Sequence, residues 1–266
     1  MSLSALDNLK GILAKVPSAI IAFSGGVDST FLARAAADSI SGKVLLVTAV
    51  SSTYPEEELV QSKQLAALIG LEQQIIVSEE LDIPGFAENT PQRCYFCKKG
   101  LFSEILAIAK ERGIDTVFDG NNVDDSADYR PGRKAIRELG VRSPLCEAGF
   151  TKQMVREYSA QYKLPTASKP SNACLASRFP YGETITKDKL SRVHAAEKAL
   201  RIAGFSGFRV RSHGNCARIE LAPSEMDRGW QQRDILDSAC RTAGFVFVSI
   251  DVRGYRTGAL NEVLSL

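Results

Sequence analysis

The string A-F-S-G-G-V-D-S-T near the N-terminus has the residue types of a loop that binds phosphate. Gly25 and Gly26 let backbone amides approach an anion, and the helix that follows adds its positive dipole end. The hydroxyls of Ser24 and Ser29 can join them, whereas Asp28 would repel a phosphate unless it held Mg²⁺. The string therefore predicts a site for a metal-bridged polyphosphate, with a plain strand–helix turn as the alternative. The lysine of the G-x-x-x-x-G-K-[ST] loop is absent, which excludes that class of ATPase.

A second polar string, D-G-N-N-V-D-D-S-A-D, begins at Asp119 directly after a predicted strand. Open α/β sheets bind ligands at the carboxyl ends of their strands, so the string lies where a ligand would. Its four aspartates repel one another unless cations bind them or the loop spaces them apart. Beside a phosphate loop we expect Asp124 or Asp125 to bind Mg²⁺, and a solvated acidic turn is the alternative.

Cys94 and Cys97 form a C-x-x-C pair at the start of a predicted helix, 97–112. The helix N-terminus and the neighbouring basic side chains favour their thiolates. Three kinds of site use such a pair: a dithiol that forms a disulfide, half of a zinc site, or part of an iron–sulfur cluster. A zinc site would need two more ligands, for which Cys146 and Cys174 are the candidates.

Cys174 lies in the string S-N-A-C-L-A-S-R-F-P-Y-G, within a stretch that has no regular pattern. A cysteine buried where loops cross is one interpretation. The other is a phosphate site, because the hydroxyl of Ser177 and the guanidinium of Arg178 suit a phosphate.

A row of basic residues, Arg209, Arg211 and His213, shares one face of a predicted strand, because side chains alternate along a strand. The row is either solvated or binds a phosphate or carboxylate, since burial without anions is costly. In the preceding predicted helix, Glu197 falls on an otherwise apolar stripe. This glutamate either pairs with an arginine of the adjacent strand or takes part in catalysis.

Short apolar runs alternate with helical patterns in the first half of the chain. They predict strands at 19–23, 44–48, 74–77 and 116–118, and helices at 28–38, 55–69 and 97–112. This alternation predicts an α/β fold, with a parallel sheet and helices on both of its faces.

The second half of the chain is organised differently. Residues 129–186 are rich in Pro, Gly, Ser and Arg, with one helical pattern at 151–162, and such long irregular stretches usually bind a ligand. From residue 187 the pattern is helix, strand, strand, helix, strand, at 187–203, 207–212, 216–221, 232–243 and 245–250. This order predicts a smaller α+β domain, and we place the domain boundary after residue 170.

The composition is that of an ordinary globular protein, with 24% charged and 44% hydrophobic residues. The formal net charge is +2, from 33 Lys+Arg against 31 Asp+Glu, which favours neither a nucleic-acid partner nor a membrane. The sequence has neither an apolar run of about 20 residues nor the pattern of a signal peptide. We expect a cytoplasmic protein whose six cysteines are reduced, with Cys216 and Cys240 buried as apolar residues.

Several strings together resemble those of the LarE-type ATP-dependent sulfur transferases, in the PP-loop ATP pyrophosphatase superfamily. They are A-F-S-G-G-V-D-S-T, D-Y-R-P-G-R-K-A at 128–135, S-R-F-P-Y-G at 177–182, A-A-E-K-A-L at 195–200, R-V-R at 209–211 and G-Y-R-T-G at 254–258. The resemblance implies a PP-loop domain over residues 1–170 that binds ATP and adenylates a substrate. It implies a substrate-binding, sulfur-transfer domain over residues 171–266.

The resemblance also implies a reaction and its residues. A carboxylate of a pyridinium bis-carboxylate mononucleotide is joined to AMP, and sulfur then displaces AMP to leave a thiocarboxylate, in nickel-pincer nucleotide cofactor biosynthesis. The residues implied for ATP are Ser24, Gly25, Gly26, Asp28 and Ser29, with Mg²⁺ on Asp28. Those implied for the substrate phosphate are Ser177, Arg178, Arg209 and Arg211, and those implied for catalysis are Cys174, Asp28 and Glu197.

The cysteines distinguish two branches of this family. In one branch a single cysteine before the S-R-F-P-Y-G string gives up its own sulfur, so each chain acts once. Here Cys174 lies one position closer to Arg178 and is joined by Cys94 and Cys97. This pattern resembles a second branch, in which three cysteines hold a 4Fe–4S cluster whose fourth iron carries the transferable sulfur. The resemblance implies a homo-oligomer, and it leaves open the sulfur donor and whether Cys146 is a fourth metal ligand.

Other functions compete with this one. Thiolation of tRNA is another PP-loop chemistry, but it needs a broad basic surface, which a net charge of +2 does not predict. A non-enzymatic alternative is a module that binds an adenine nucleotide and holds a structural zinc at Cys94, Cys97, Cys146 and Cys174. Amide synthesis by a PP-loop enzyme would need free ammonia, because the sequence shows no glutaminase domain.

Overall fold

The computed structural model describes residues 4–51, 54–126, 131–170, 174–256 and 258–265. The chain divides into two compact units, one of Met1–Ile83 with Cys94–Asn172 and one of Pro84–Arg93 with Ala173–Leu266. The segment 84–93 therefore belongs to the second unit, which a single boundary after residue 170 does not predict. The start of the D-Y-R-P-G-R-K-A string, the S-N-A of the Cys174 string and Thr257 of G-Y-R-T-G lie outside the described residues.

The first unit is built on a parallel sheet. Its elements are α1 (Ala5–Leu13), β1 (Ala19–Ala22), α2 (Val27–Ser39), β2 (Val44–Val50), α3 (Glu56–Ile69), β3 (Glu72–Val77), α4 (Arg93–Glu111, whose first residue belongs to the second unit), β4 (Val117–Phe118), α5 (Gly132–Glu138), α6 (Pro144–Glu147) and α7 (Lys152–Gln161). The strand order is β3-β2-β1-β4, and every pair is parallel. The predicted parallel sheet flanked by helices is confirmed.

Alternation of side chains along the strands divides the core of this unit in two. Ile21 and Leu46 pack in one apolar cluster with residues of α1, α2 and α7. Ile20 and Leu45, one position away on the same strands, pack in a second cluster with residues of α4 and α5. Strands covered on both faces read as continuous apolar runs, which explains why β1 and β2 are recognisable in the sequence.

The second unit contains a smaller, mixed sheet. Its elements are α8 (Lys187–Ile202), β5 (Arg209–His213), β6 (Cys216–Glu220), α9 (Met226–Gln231), α10 (Arg233–Thr242) and β7 (Phe247–Ile250). In the strand order β5-β6-β7, the first pair is antiparallel and the second is parallel. The predicted smaller α+β unit is confirmed, and α9 is a short helix that the sequence pattern did not predict.

The irregular stretch 129–186 and the start of α4 differ from prediction. The stretch contains two short helices, α5 and α6, besides the predicted α7. Helix α4 begins at Arg93 rather than at residue 97, because a turn closed by Arg93 N donating to Thr90 O (2.9 Å) leads directly into it. Cys94 is thus inside the helix with Cys97. Among the described residues, no helix is both long and apolar enough to cross a bilayer.

Candidate functional site

The phosphate-loop string turns from β1 into α2 and is fixed to the neighbouring strand. Phe23 N donates to Val47 O (2.8 Å), and Thr48 Oγ1 donates to Phe23 O (2.6 Å). Gly25 follows with a φ of +68°, and a Cβ there would lie 3.1 Å from Ser62 Cβ. Only glycine combines this backbone conformation with so close an approach of α3.

Serine hydroxyls and glycine amides gather where α2 begins. Ser24 Oγ and Ser29 Oγ are 3.2 Å apart, and Gly26 N donates to Ser24 Oγ (3.3 Å). Ser29 Oγ is also 3.3 Å from Gly26 O. The structure therefore brings the predicted ATP-binding residues of the string to one helix N-terminus, where the helix dipole favours an anion.

Two side chains outside the string hold its carbonyl groups. Tyr54 OH donates to Ser24 O (3.1 Å), and Lys169 Nζ donates to Gly25 O (3.2 Å). Burial, together with the carboxylate of Glu58, raises the pKa of Tyr54 to about 12, which keeps the phenol protonated as a donor. C=O and N–H point in opposite directions in a trans peptide. The N–H of Gly25 therefore points away from Tyr54, and the N–H of Gly26 points away from Lys169.

Asp28, in the first turn of α2, contacts two side chains from distant parts of the chain. Asn122 Nδ2 donates to Asp28 Oδ1 (3.0 Å), and Lys152 Nζ forms an ion pair with Asp28 Oδ2. Lys152 is 124 residues further along the chain and is the first residue of α7. The cation that the loop string lacks is thus supplied by another helix.

The predicted magnesium ligands Asp124 and Asp125 both accept hydrogen bonds from the backbone. Asp124 Oδ2 accepts from Lys152 N (2.7 Å), and Asp125 Oδ2 accepts from Asn122 N (3.0 Å). Asn122 Oδ1 in turn accepts from Asp124 N (3.0 Å). These contacts shape the loop after β4 and the start of α7, and the magnesium role of either carboxylate stays a prediction.

The loop after β4 packs closely against α2. A Cβ on Gly120 would lie 3.1 Å from Ser29 N, so glycine permits this approach. Asp119, just before it, is 3% exposed, and burial raises the pKa of its carboxyl group. Asn121 Nδ2 donates to Asp119 Oδ2 (2.5 Å).

In the second unit, Glu197 of α8 pairs with Arg178. Arg178 Nε donates to Glu197 Oε1 (2.8 Å) and Nη2 donates to Oε2 (3.1 Å), with both residues buried. Burial alone would raise the pKa of Glu197, but Arg178 and the N–H of Val210, which donates at 3.2 Å, hold it below its ordinary value. The bidentate arginine partner therefore comes from the loop before α8, while Arg201, on the same helix as Glu197, lies 3.6 Å from Oε2.

Arg211 is held by a second buried carboxylate. Its Nη2 donates to Glu220 Oε2 (2.8 Å), while Nη1 donates to Ser177 O (2.6 Å). Arg211 Nε is buried and has no hydrogen-bond partner among the described residues. An unsatisfied buried donor is costly, so an oxygen atom of a ligand would be favourable there.

Arg209 lies over an aromatic ring from the G-Y-R-T-G string. Its guanidinium carbon is 4.8 Å from the centroid of the Tyr255 ring. Burial and the nearby charge of Arg178 lower the pKa of Arg209. His213 of the same predicted row is exposed at the end of β5, so the row divides into partly or fully buried arginines and an exposed histidine.

The loop before α8 gathers Ser177 and Arg178. Arg178 Nη1 donates to Ser177 Oγ (2.9 Å) and to Cys174 O (3.3 Å). Cys174 itself is exposed, which excludes the interpretation of a buried cysteine. Within the second unit the structure therefore brings together Ser177, Arg178, Arg211 and Glu197, through direct contacts.

The remaining cysteines differ in exposure. Cys94 is exposed and Cys97 is half-buried in the first two turns of α4, and Cys146 is half-buried in α6. Among the described residues, no group of three or more His, Cys, Asp or Glu side chains is arranged to hold a metal ion. The zinc and iron–sulfur sites stay predictions. Cys240 is buried as expected, and burial raises its pKa to about 12, whereas Cys216 is only half-buried.

Sequence reasoning missed several residues of these sites: Tyr54, Lys169, Asn122, Lys152, Glu220 and Tyr255. Each lies in a different string from the residue it holds. The G-Y-R-T-G string and the lysine at the start of the predicted helix 151–162 were visible signals, but nothing local connects either to an arginine or an aspartate elsewhere.

Comparison with known proteins gives close relatives along nearly the whole chain. No family model matches the chain. An uncharacterized protein of Synechocystis sp. is 42% identical over 264 residues, which is 98% of each chain. The pyridinium-3,5-bisthiocarboxylic acid mononucleotide synthase of Lactiplantibacillus plantarum is 37% identical over 246 residues, covering 92% of this chain and 89% of that one.

Among solved structures, the NMN synthetase of Francisella tularensis has a similar fold. The TM-score is 0.52 at 16% sequence identity, over 63% of this chain and 74% of that chain. At this identity the likeness concerns the fold alone.

Proposed function

Because the chain belongs to the LarE-type family of pyridinium-3,5-bisthiocarboxylic acid mononucleotide synthases, we propose that it makes a thiocarboxylate from a pyridinium bis-carboxylate mononucleotide. The chain is an enzyme of ATP-dependent sulfur transfer. The observation that carries the proposal is the phosphate loop at the start of α2, with Asp28 and Lys152 in contact beside it.

The chemistry follows from the weakness of a carboxylate as an electrophile. Its oxygen attacks the α-phosphorus of ATP, an oxygen–phosphorus bond forms, and pyrophosphate leaves. The resulting acyl adenylate has AMP as a good leaving group. A sulfur nucleophile then attacks the carbonyl carbon and AMP departs with the bonding electrons, which leaves the thiocarboxylate.

In the first unit, we assign the pyrophosphate end of ATP to Ser24, Gly25, Gly26 and Ser29. Mg²⁺ bound at Asp28 would neutralise part of the phosphate charge, and carboxylate oxygen is the ligand type it prefers. Lys152 would exchange its contact with Asp28 for a phosphate oxygen, because the pair is partly exposed, at 28% and 21% of the two side chains. Asp124 or Asp125 is a further candidate for magnesium.

In the second unit, we assign the substrate phosphate to Ser177, Arg178, Arg209 and Arg211. The unsatisfied Nε of Arg211 supports this assignment, because a phosphate oxygen would complete its hydrogen bonding. Glu197 holds Arg178 in a bidentate pair. We therefore assign Glu197 the role of orienting the Arg178 guanidinium.

We propose that Cys94, Cys97 and Cys174 would hold a 4Fe–4S cluster, which would supply the sulfur that displaces AMP. Thiolates are the ligands that such a cluster uses, and Cys94 and Cys174 are both exposed. The described side chains do not form a group of three metal ligands, so no step above depends on the cluster. A homo-oligomeric state and a cytoplasmic location belong to the same proposal.

The test is pyrophosphate release from ATP and Mg²⁺ with and without the pyridinium bis-carboxylate mononucleotide. We expect release only with the nucleotide, and, when a sulfur donor is added, a product whose mass reflects exchange of oxygen for sulfur. Protein purified without oxygen is analysed for iron, sulfide and zinc in parallel. One zinc per chain without pyrophosphate release would favour the nucleotide-binding module, and release that depends on tRNA would favour tRNA thiolation.

A further inference from the structure

The segment 84–93 belongs to the second unit, although it directly precedes the cysteine pair of α4. Two of its polar side chains are buried: Asn89 is 0% exposed and Arg93 is 5% exposed. Asn89 also has a φ of +52°, in the left-handed region that residues other than glycine seldom adopt. Asparagine enters this region more readily than other residues that have a side chain, so the residue type suits this backbone conformation.

Three hydrogen bonds join Asn89 to one loop. Its Nδ2 donates to Phe179 O (3.3 Å) and to Pro180 O (2.7 Å). Its backbone carbonyl accepts from Gly182 N (3.0 Å). Asn89 therefore forms hydrogen bonds with the backbone of three residues of the S-R-F-P-Y-G string.

Arg93 contacts the same loop nearer to its start. Its Nη1 donates to Ala176 O (2.8 Å) and also contacts Asn89 Oδ1. A buried guanidinium that donates to a carbonyl makes a strong, charge-assisted hydrogen bond. Asn89 and Arg93 thus contact each other through their side chains, and both contact the loop.

The loop that they contact carries two of the four residues assigned to the substrate phosphate, Ser177 and Arg178. Ser177 N donates to Cys174 O (2.9 Å), and Arg211 Nη1 donates to Ser177 O (2.6 Å). The carbonyl groups of residues 174, 176, 177, 179 and 180 thus all accept hydrogen bonds. These hydrogen bonds fix the backbone conformation of the loop. They thereby fix the positions from which the side chains of Ser177 and Arg178 project.

We propose that Asn89 and Arg93 are positioning residues that set the conformation of the loop carrying Cys174, Ser177 and Arg178. The inference rests on the proposed function only in that this loop binds the substrate phosphate. Asn89 and Arg93 act through backbone carbonyls. Because α4 continues from Arg93 into Cys94, the residue that holds the Cys174 loop is bonded in the chain to the C-x-x-C pair.

The test combines hydrogen exchange with kinetics in full-length variants. Arg93→Met removes the donor but keeps an unbranched side chain, and Asn89→Gly keeps the positive φ but removes the amide. We expect amide exchange in the peptide covering 174–182 to rise roughly tenfold in both, because Arg93→Met loses a charge-assisted hydrogen bond to the loop and Asn89→Gly loses two neutral ones. The KM for the pyridinium nucleotide should rise and the KM for ATP should stay at its wild-type value.

Two further variants separate positioning from general stability. Arg228→Met removes another arginine of the second unit that donates to carbonyls, those of Ala203 and Gly204, away from the loop, and should leave loop exchange unchanged. Arg93→Lys retains a donor for Ala176 O and should restore part of the protection.

Loop exchange at the wild-type rate in both Arg93→Met and Asn89→Gly would overturn the inference. Equal acceleration in the peptide of α10 would overturn it as well, because it would show general destabilisation. Hydrogen exchange needs no turnover, so it tests the loop even if the wild-type enzyme does not use the pyridinium nucleotide, a result that would contradict the proposed function alone.

Discussion

The two units present charge in different ways. In the first unit, the candidate site consists of backbone amides at the start of α2, with Lys152 and Asp28 partly exposed beside them. In the second unit, it consists of guanidinium groups, two of them paired with carboxylates that are at most 3% exposed on their side chains. The first site depends mainly on a backbone conformation. The second depends on side chains that are held in place by buried carboxylates.

This difference matters for how each site tolerates change. Ion pairs near the surface contribute little to stability, and Lys152 and Asp28 are partly exposed, so they can change partners at low cost. A buried pair is strongly destabilising to break, because the remaining charge has no compensation. We therefore expect substitutions in the first site to affect the reaction alone, and substitutions in the second to affect stability as well.

The largest effect is expected for Asp28→Asn. The variant removes the charge that would bind Mg²⁺ while keeping the side-chain size, so release of pyrophosphate should fall to background. Thermal melting should stay close to the wild-type temperature, because asparagine retains an oxygen that can accept from Asn122 and the pair with Lys152 is partly exposed. Asp38→Asn, which disturbs the exposed pair with Arg34 on the same helix, is the control and should retain activity.

Arg178→Met should destabilise the second unit and weaken substrate binding. It leaves Glu197 buried without its bidentate partner, for which we expect a loss of about 3–5 kcal/mol in the free energy of unfolding. Denaturant titration measures this loss. Arg241→Met breaks an exposed pair with Asp237 and should cost at most about 1 kcal/mol. Similar losses in both variants would remove the distinction between the two sites.

Lys152→Met should weaken ATP binding without affecting stability. Loss of one charge-assisted hydrogen bond of about 1.5–3 kcal/mol corresponds to a rise in the dissociation constant for Mg²⁺–ATP of roughly ten- to a hundredfold. Isothermal calorimetry provides the measurement. Lys43→Met, which breaks the exposed pair with Glu72, is the matched control. An unchanged affinity in Lys152→Met would assign the lysine to Asp28 alone.

Tyr255→Leu should raise the KM for the pyridinium nucleotide several-fold. The ring lies 4.8 Å from the guanidinium of Arg209, and such a cation–π contact is worth about 0.5–2 kcal/mol. Tyr255→Phe keeps the ring and should behave as wild type. If the phenylalanine variant is as impaired as the leucine variant, the hydroxyl is the important group.

The smallest effect is expected in the dependence of stability on pH, because two buried carboxyls contribute with opposite sign. The pKa of Glu197 is lowered in the folded state, so its contribution is present above the ordinary value of 4.5 and is lost as the pH falls through the folded pKa. The pKa of Asp119 is raised, so its contribution grows as the pH falls through its folded pKa and is lost at higher pH. Glu197→Gln and Asp119→Asn should change the slope of stability against pH in opposite directions in urea titrations.

Local features were determined by the sequence. The phosphate-loop string was recognisable because glycine conformations, serine hydroxyls and a helix N-terminus are all set within a few residues. The strands β1 and β2 were recognisable because both of their faces are covered, which demands continuous apolar runs. Glu197 was marked as unusual because a carboxylate interrupts an apolar stripe of α8.

Pairings between distant residues were decided by the tertiary structure. Nothing near Asp28 points to Lys152, and nothing near Arg178 points to Asn89 or Arg93. Asp124 was predicted as a magnesium ligand from its neighbours, which stays a prediction, and nothing near it indicated that its carboxylate accepts the first N–H of α7. Patterns in a sequence record which backbone conformation and which degree of burial each segment prefers. Which charge meets which depends on how the segments pack, and that is fixed only when the whole chain has folded.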